Sequence, residues 1–471
     1  SAHQPLDTRP GNTMVGTHIN RNITWAEQAG PFMTYLARNS FLLQQGRYVA
    51  DLAYLLNEGA PSTMPFWGAG LRPPPPEGYS YDYVNADVLL NRMSVDGEGR
   101  IKLPDGMSYR LLVLPEIDRM TVPVLRKIHE MVEGGATVAG PKPLKSPGLV
   151  GYPNADLEVA SLAGDLWGDL DGVSRTTRRY GKGTVVWGLS LAEVLASLRV
   201  PRDLEFSRAL DSNLCWIHRR DGDTDIYYLA NRSDRPQEID VRFRVSGKEA
   251  ELWHADTGAI EPTDYNIAEG RTVVPLRLEE RESVFVVFRR AAASPSRTSS
   301  RKAGTTLATL NGPWEVRFPP NLGAPAMIQI TNLESWTANG DEGVKYFSGT
   351  ATYTKTINAP RSWFRPGARL IIDLGVVRDI AELSVNGNAL GILWKAPYRV
   401  DATAALKPGT NRLEIKVTNE WTNRLTGDRS VPADKRVLPA SGPPRAGPGP
   451  PQTLVESGLL GPVRVADIVM H

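Results

Sequence analysis

The chain has 471 residues, of which 54 are basic and 52 acidic, giving a formal net charge of +2, with 41% hydrophobic and 8% aromatic residues. At about 150 residues per domain this length suits roughly three domains, and so balanced a charge creates no field that would draw nucleic acid or a membrane surface. Cys215 is the only cysteine, which excludes an intrachain disulfide and a cysteine-built zinc site, and no apolar run approaches the ~20 residues of a membrane-spanning helix.

The sequence opens Ser-Ala-His-Gln, with no initiator Met and no basic and apolar leader, as expected of a processed protein, a trimmed chain or a fragment. The run from Gly16 to Phe32 then joins imidazole, amides, indole and a carboxylate at what reads as a strand-to-helix junction: His18, Asn20, Asn22, Trp25, Glu27 and Gln28. That mixture suits a sugar. Amides donate and accept at once and so match vicinal hydroxyls, an indole covers the apolar side of a pyranose, and a carboxylate can move a proton. Alternate residues of one strand face one side, which would aim His18, Asn20 and Asn22 together. Glu27 has a competing role as helix cap, through the spacing Thr24-Trp25-Ala26-Glu27.

Pro31 leads into an apolar stripe at helical spacing, Phe32, Tyr35, Leu36, Phe41, Leu42 and Leu43, ending near Gly46. Val49 to Leu56, Arg110 to Pro115 and Ala136 to Gly140 read as buried strands, and Val122 to Glu133 as a helix stopped by Gly134-Gly135. Strand, helix, strand with short connections predicts a parallel, open-sheet α/β domain over residues 47–205. The proline run Arg72 to Glu77 must be a surface loop. No G-x-G-x-x-G or G-x-x-x-x-G-K-[ST] follows these strands, so nucleotide binding has no support.

From about Asn213 the period falls to two, in Asp225–Ala230, Ile239–Val245 and Ser283–Phe288, which predicts a β-sandwich over 206–290. Residues 291–305 are small, polar and basic, like a linker. Strand signals recur at Ser348–Ile357, Arg369–Asp373, Ala381–Val385, Asn411–Val417 and Gly461–Val469, with a turn at Asn386-Gly387. These predict a jelly roll over 306–471, interrupted by the Gly/Pro-rich stretch Ser441 to Pro451. Cys215, in Leu214-Cys-Trp-Ile217, reads as a small buried residue.

Three stretches together, residues 16–45, Gly78–Leu90 with Leu103–Tyr109, and Tyr346–Tyr353 with Asn386–Tyr398, resemble the C-terminal half of the bacterial α-L-rhamnosidases of glycoside hydrolase family 106. The resemblance implies a multidomain α/β and all-β fold: residues 1–46 as the last strand and helix of a (β/α)8 catalytic barrel, a flavodoxin-like or amidotransferase-like α/β domain, a β-sandwich, and a galactose-binding-like jelly roll. It implies inverting hydrolysis of terminal α-L-rhamnosides in plant polysaccharides or glycosides, calcium as a possible ligand, and a periplasmic or extracellular location. One strand and one helix cannot close a barrel, so an upstream segment is expected to complete the site.

In that frame Glu27 sits at the C-terminal mouth of the last barrel strand, where such enzymes place catalytic groups, and is the candidate catalytic carboxyl. His18, Asn20, Asn22 and Trp25 are its substrate-binding companions. Tyr79, Tyr81, Asp82 and Asn85 form a loop that either packs or approaches the site. Trp314, Trp336, Trp363, Trp394 and Trp421 are core residues or sugar platforms, and Asp373, Asp379, Glu382 and Asp401 are oxygen ligands for calcium or solvated carboxylates. Two alternatives stand beside the hydrolase: a non-catalytic carbohydrate-binding or scaffold protein, and a β-galactosidase-like hydrolase.

Overall fold

The computed structural model describes residues 19–59, 70–207, 213–299, 304–438 and 453–469. Among them, residues 19–29 hold no strand. They run as successive turns, closed by backbone bonds from Ile23 to Asn20 (3.3 Å), Ala26 to Ile23 (3.4 Å) and Gln28 to Trp25 (3.0 Å). The strand expected to aim Asn20 and Asn22 to one side is therefore not formed by these residues. No neighbouring strand pairs with them, and turns satisfy locally the backbone groups an unpaired strand would leave open.

Helix α1 (Gly30–Leu43) follows, with Pro31 in its first turn, where a missing N–H costs nothing. Its apolar stripe divides. Tyr35, Leu42 and Leu43 pack on Ile226, Phe285 and Val287 of a β-sheet, whereas Leu36 (41%) and Phe41 (65%) are exposed.

The next sheet has six strands in the order Tyr81–Val84, Leu52–Leu55, Leu111–Val113, Thr137–Ala139, Gly183–Val186 and Thr177–Tyr180. All neighbours are parallel except the last pair. Central strands such as Leu111–Val113 and Thr137–Ala139 are buried throughout, so both faces are covered. Helices α2 (Ala86–Arg92), α3 (Val122–Gly134) and α4 (Asn154–Trp167) share one core with the sheet, and α5 (Leu191–Ser197) packs on the opposite face. The proline run lies in a loop, as expected.

Two further sheets enclose a common core. One runs Arg47–Tyr48, Leu214–Asp221, Thr224–Asn231, Ser283–Phe288, Glu251–Trp253, Ile260–Pro262; the other runs Leu204–Phe206, Gln237–Phe243, Arg271–Leu278, Tyr265–Ala268, Ser296–Arg297. The chain thus enters and leaves the α/β sheet through strands of this sandwich, and Ser296–Arg297, in the linker-like stretch, adds an edge strand. Gly46, at φ 56°, marks the entry: a Cβ there would meet the Arg220 carbonyl oxygen at 2.2 Å, so only glycine fits.

Two C-terminal sheets also share one core, beside the small antiparallel pair Val376–Arg378 and Gly458–Gly461. Their orders are Thr305–Thr309, Arg464–Val469, Ala368–Asp373, Arg399–Asp401, and Met327–Ile330, Trp314–Arg317, Thr350–Ala359, Gly409–Thr418, Ile380–Val385, Asn388–Leu393. Asn386 and Gly387 form the predicted two-residue turn, both at positive φ (54° and 84°). The single strand expected over Gly461–Val469 is instead two, Gly458–Gly461 and Arg464–Val469. Pro462 lies between them and has no N–H for a ladder. No helix among the described residues is long and apolar enough to cross a membrane.

A buried charged cluster fastens the sandwich to the α/β unit. His218, fully buried, donates from Nδ1 to Asp203 Oδ2 (2.8 Å) and from Nε2 to Asp225 Oδ1 (3.0 Å). A carboxylate facing each ring nitrogen requires both to be donors, so the ring is an imidazolium. Tyr227 stacks on it at 3.8 Å and donates its hydroxyl to Asp203 (2.8 Å), and Arg244 ties Asp203 (3.3 Å) to Asp51 (3.1 Å).

Candidate functional site

The turns before α1 are seated on the C-terminal sheets by side chains that the sequence pattern singled out for other roles. Trp421 Nε1 donates to the Asn22 carbonyl (2.7 Å), and Gln28 Nε2 donates to Glu382 Oε1 (2.7 Å), whose other oxygen lies 3.8 Å from Lys416. Trp394 meets Phe32 edge-on at 5.3 Å and Tyr35 at 5.1 Å, and Trp25 is edge-on to Phe32 at 6.2 Å. Segment 19–43 therefore bridges the sandwich and the last two sheets.

On that seat the expected site residues take different roles. Asn22 is 3% exposed and its carbonyl is committed to Trp421, so it is a structural anchor in this arrangement. Asn20 Oδ1 accepts from the Asn22 N–H (2.8 Å), but among the described residues Asn20 Nδ2 is buried without a partner, as is Gln28 Oε1. A buried amide atom with no partner is unusual and marks unused donor or acceptor capacity. Trp25 is half-buried. Glu27 is exposed and makes no hydrogen bond or ion pair among the described residues. His18 lies outside the described residues.

The competing reading of Glu27 as a helix cap is corrected. Helix α1 begins at Gly30 with Ala29 at its N-cap position, no capping side chain and no acidic residue in the first turn. The chain still turns at Thr24–Gln28, so Glu27 lies outside the first helical turn and makes no capping bond to it.

A second carboxyl of interest lies in the same region. Burial, then the charge of Glu420, push the Asp379 carboxyl up to about 6, although it accepts from the Glu420 N–H and feels Arg378. Glu420 adjoins Trp421, and Tyr398 donates to the Asp379 carbonyl (2.6 Å). A carboxyl that keeps its proton towards neutral pH can act as an acid. No sequence signal pairs Asp379 with Glu420, because they meet only through neighbouring strands.

Trp314, Trp336 and Trp363 are core residues, leaving Trp394 and Trp421 as the tryptophans that face the N-terminal segment. The stretch Tyr79–Asn85, expected as a loop, instead contains the edge strand Tyr81–Val84, which pairs with Leu52–Leu55, and serves packing: Tyr79 donates to the Val200 carbonyl (2.8 Å), Asp82 accepts from Tyr109 (2.9 Å), Tyr81 meets Tyr54 edge-on, and Asn85 caps α2 (2.9 Å). Cys215, expected to be buried, is exposed. It lies in strand Leu214–Asp221, whose faces are not sealed as the local apolar run suggests.

The candidate calcium ligands do not gather. Asp373 accepts from Arg399 (2.7 Å), Asp401 from Arg369 (2.7 Å) and Thr403 (2.6 Å), and Glu382 from Gln28. No group of three or more His, Cys, Asp or Glu side chains among the described residues is placed to hold a metal. This donor set does not fit calcium, which takes six to eight oxygens.

The β-rich, multi-sheet body with few helices that carries these side chains is a rhamnosidase-like fold. It superposes on the solved rhamnosidase from Novosphingobium sp. PP1Y with a TM-score of 0.84, at 40% identity, over 98% of this chain and 43% of that one. The profile of glycoside hydrolase family 106, described as alpha-L-rhamnosidase, matches residues 1–267, and the chain belongs to that family. A Formosa agariphila protein whose name proposes beta-glucuronidase activity is 27% identical over 657 aligned positions, covering 92% of this chain and 55% of that protein. The chain thus spans about half the length of these two relatives.

Proposed function

We propose that this chain is the C-terminal part of an inverting α-L-rhamnosidase, to which it contributes Glu27 as one of two catalytic carboxyl groups. The observation that carries the reading is the similarity to a solved rhamnosidase at 40% identity across 98% of the chain. The substrate class is terminal α-L-rhamnosides of plant polysaccharides or glycosides, met in the periplasm or outside the cell. Inversion needs an acid on the leaving oxygen and a base on water, about 6.5 to 9.5 Å apart. Glu27, exposed and without an ion-pair partner among the described residues, can take either role, with Trp25 stacking on the sugar and Asn20 and Gln28 supplying amide atoms unused among those residues. His18 completes the same binding set.

In this reading residues 1–46 close a catalytic barrel, and the exposed Leu36 and Phe41 of α1 form the face that barrel packing would cover. Residues 47–205, 206–290 and 306–471 are accessory units, the last a galactose-binding-like jelly roll. The test is hydrolysis of an aryl α-L-rhamnoside by the natural gene product that contains these residues. Glu27→Gln is expected to lower kcat about a hundredfold or more with the fold intact; a near-normal kcat would make Glu27 a surface carboxylate.

A second reading, a non-catalytic carbohydrate-binding protein, needs only the half-buried Trp25 and the amide atoms Asn20 Nδ2 and Gln28 Oε1, which are buried without a partner among the described residues. Saturable binding of L-rhamnose without turnover in that same product would support it.

A further inference from the structure

A cleft of about 340 Å³ opens between the α/β unit and the sandwich, lined by Arg100, Arg110, Arg220 and Arg244 with Asp51 and Ser108. Four guanidiniums face one carboxylate. Two of them are matched: Arg244 by Asp51 (3.1 Å) and Asp203 (3.3 Å), and Arg220 by Asp225 (2.7 Å). The other two are in excess. Among the described residues the Arg110 guanidinium has no hydrogen bond or ion pair, Arg100 pairs only with the exposed Glu98 (3.2 Å), and the buried Arg100 Nε has no partner.

The backbone holds this arrangement in place. The Arg110 N–H donates to the Asp51 carbonyl (2.7 Å), and Arg244 Nη1 is fixed by the Pro201 carbonyl (2.9 Å). Like charges crowded into one concave, partly desolvated site repel one another unless an anion joins them. Guanidinium forks fit planar and tetrahedral oxyanions through paired N–H bonds. The volume is at the lower end of the ~300–1,000 Å³ range of ligand pockets, the scale of one small ring or charged group.

We propose that this cleft is an anion subsite that takes one carboxylate or sulfate group carried on a sugar, with Arg110 and Arg100 as its free ligands. The anion specificity stands on the cleft alone, and only the sugar rests on the glycosidase reading. No sequence spacing announces it, since Arg100 and Arg110 flank the antiparallel pair Ile101–Lys102 and Ser108–Tyr109, Arg220 lies in the sandwich strand Leu214–Asp221, and Arg244 follows the strand Gln237–Phe243.

The experiment is calorimetric titration of the full chain, at low ionic strength with chloride as reference, against sodium sulfate, D-glucuronate and neutral L-rhamnose. Saturable binding of sulfate, glucuronate or both is expected, each competing with the other, weakened by salt, and about tenfold or more weaker in Arg110→Gln and in Arg100→Gln. The tighter of the two anions names the group; L-rhamnose affinity should be equal in wild type and both variants. Binding no tighter than chloride, or anion binding untouched by both substitutions, overturns the proposal. Should a variant not fold, competition and salt dependence in the wild type decide. Rhamnoside hydrolysis is measured separately: an inactive enzyme that still binds anions at Arg110 removes the sugar chemistry and keeps the anion site.

Discussion

Asp379 holds its proton further up the pH scale than an ordinary aspartate because burial and the neighbouring Glu420 both disfavour its charge. Its folded-state value, about 6, lies above the 3.8 of a free carboxyl. The native state therefore binds the extra proton, and stability falls as pH rises between those values, with the cost absent below and complete above. Asp379→Asn should consequently raise Tm at about pH 7.5 and leave it little changed near about pH 3.5. Thermal unfolding at both pH values checks this; equal melting at the higher pH would mean a well-solvated carboxylate. At this scale the sequence was only partly legible. The turn run from Asn20 to Gln28 was singled out by its residue types, but the burial of Asn22 and Gln28 was not, since it depends on surfaces contributed by Trp421 and Glu382.

Helix α1 shows the same division among elements. Its length and start follow from Pro31 and the apolar spacing, yet a helical stripe does not say which of its members meet a partner. Trp394 decides that, through its contacts with Phe32 and Tyr35. Trp394→Ala should cost about 2–3 kcal/mol, below the full value for a buried tryptophan because the side chain is only half-buried. It should also release the α1 amides to faster hydrogen exchange. Denaturant unfolding with exchange mass spectrometry measures both, and unchanged α1 protection would show that the helix is held by the sandwich alone.

For the whole molecule, the His218 cluster couples the sandwich to the α/β unit, reaching from residues 203–244 back to Asp51. Burial opposes the imidazolium, but the charge of Asp203 and hydrogen bonds to Asp203 and Asp225 overcome it and raise the His218 value. Burial likewise opposes the carboxylates, but His218 holds Asp203 below its usual range, and His218 with Arg220 brings Asp225 to about 2. The histidine's contribution is full below 6.5, its ordinary value, and is lost as pH rises through its folded value. The aspartates' contribution is full above 3.8 and is lost as pH falls through theirs. His218→Gln should thus destabilise by about 3–5 kcal/mol, most strongly between about pH 4 and 6.5 and less on either side. A pH series of unfolding midpoints for both proteins tests this, and a difference independent of pH would mean that His218 is neutral.

Periodicity and turn chemistry in the sequence determined which segments become strands and helices: the parallel strand–α3–strand unit, Ser283–Phe288 and the Asn386-Gly387 hairpin each follow from local rules of burial and backbone freedom. Tertiary structure alone decided which of those segments share a sheet and which side chains they bring together. The sandwich takes Arg47–Tyr48 and Leu204–Phe206 from either end of the α/β stretch, the Asn20–Gln28 turns find their partners on Glu382 and Trp421, and four scattered arginines line one cleft. The physical reason is range: periodicity reports what a segment does with its own neighbours, whereas a site is set by contacts hundreds of residues apart, which leave no pattern along the chain.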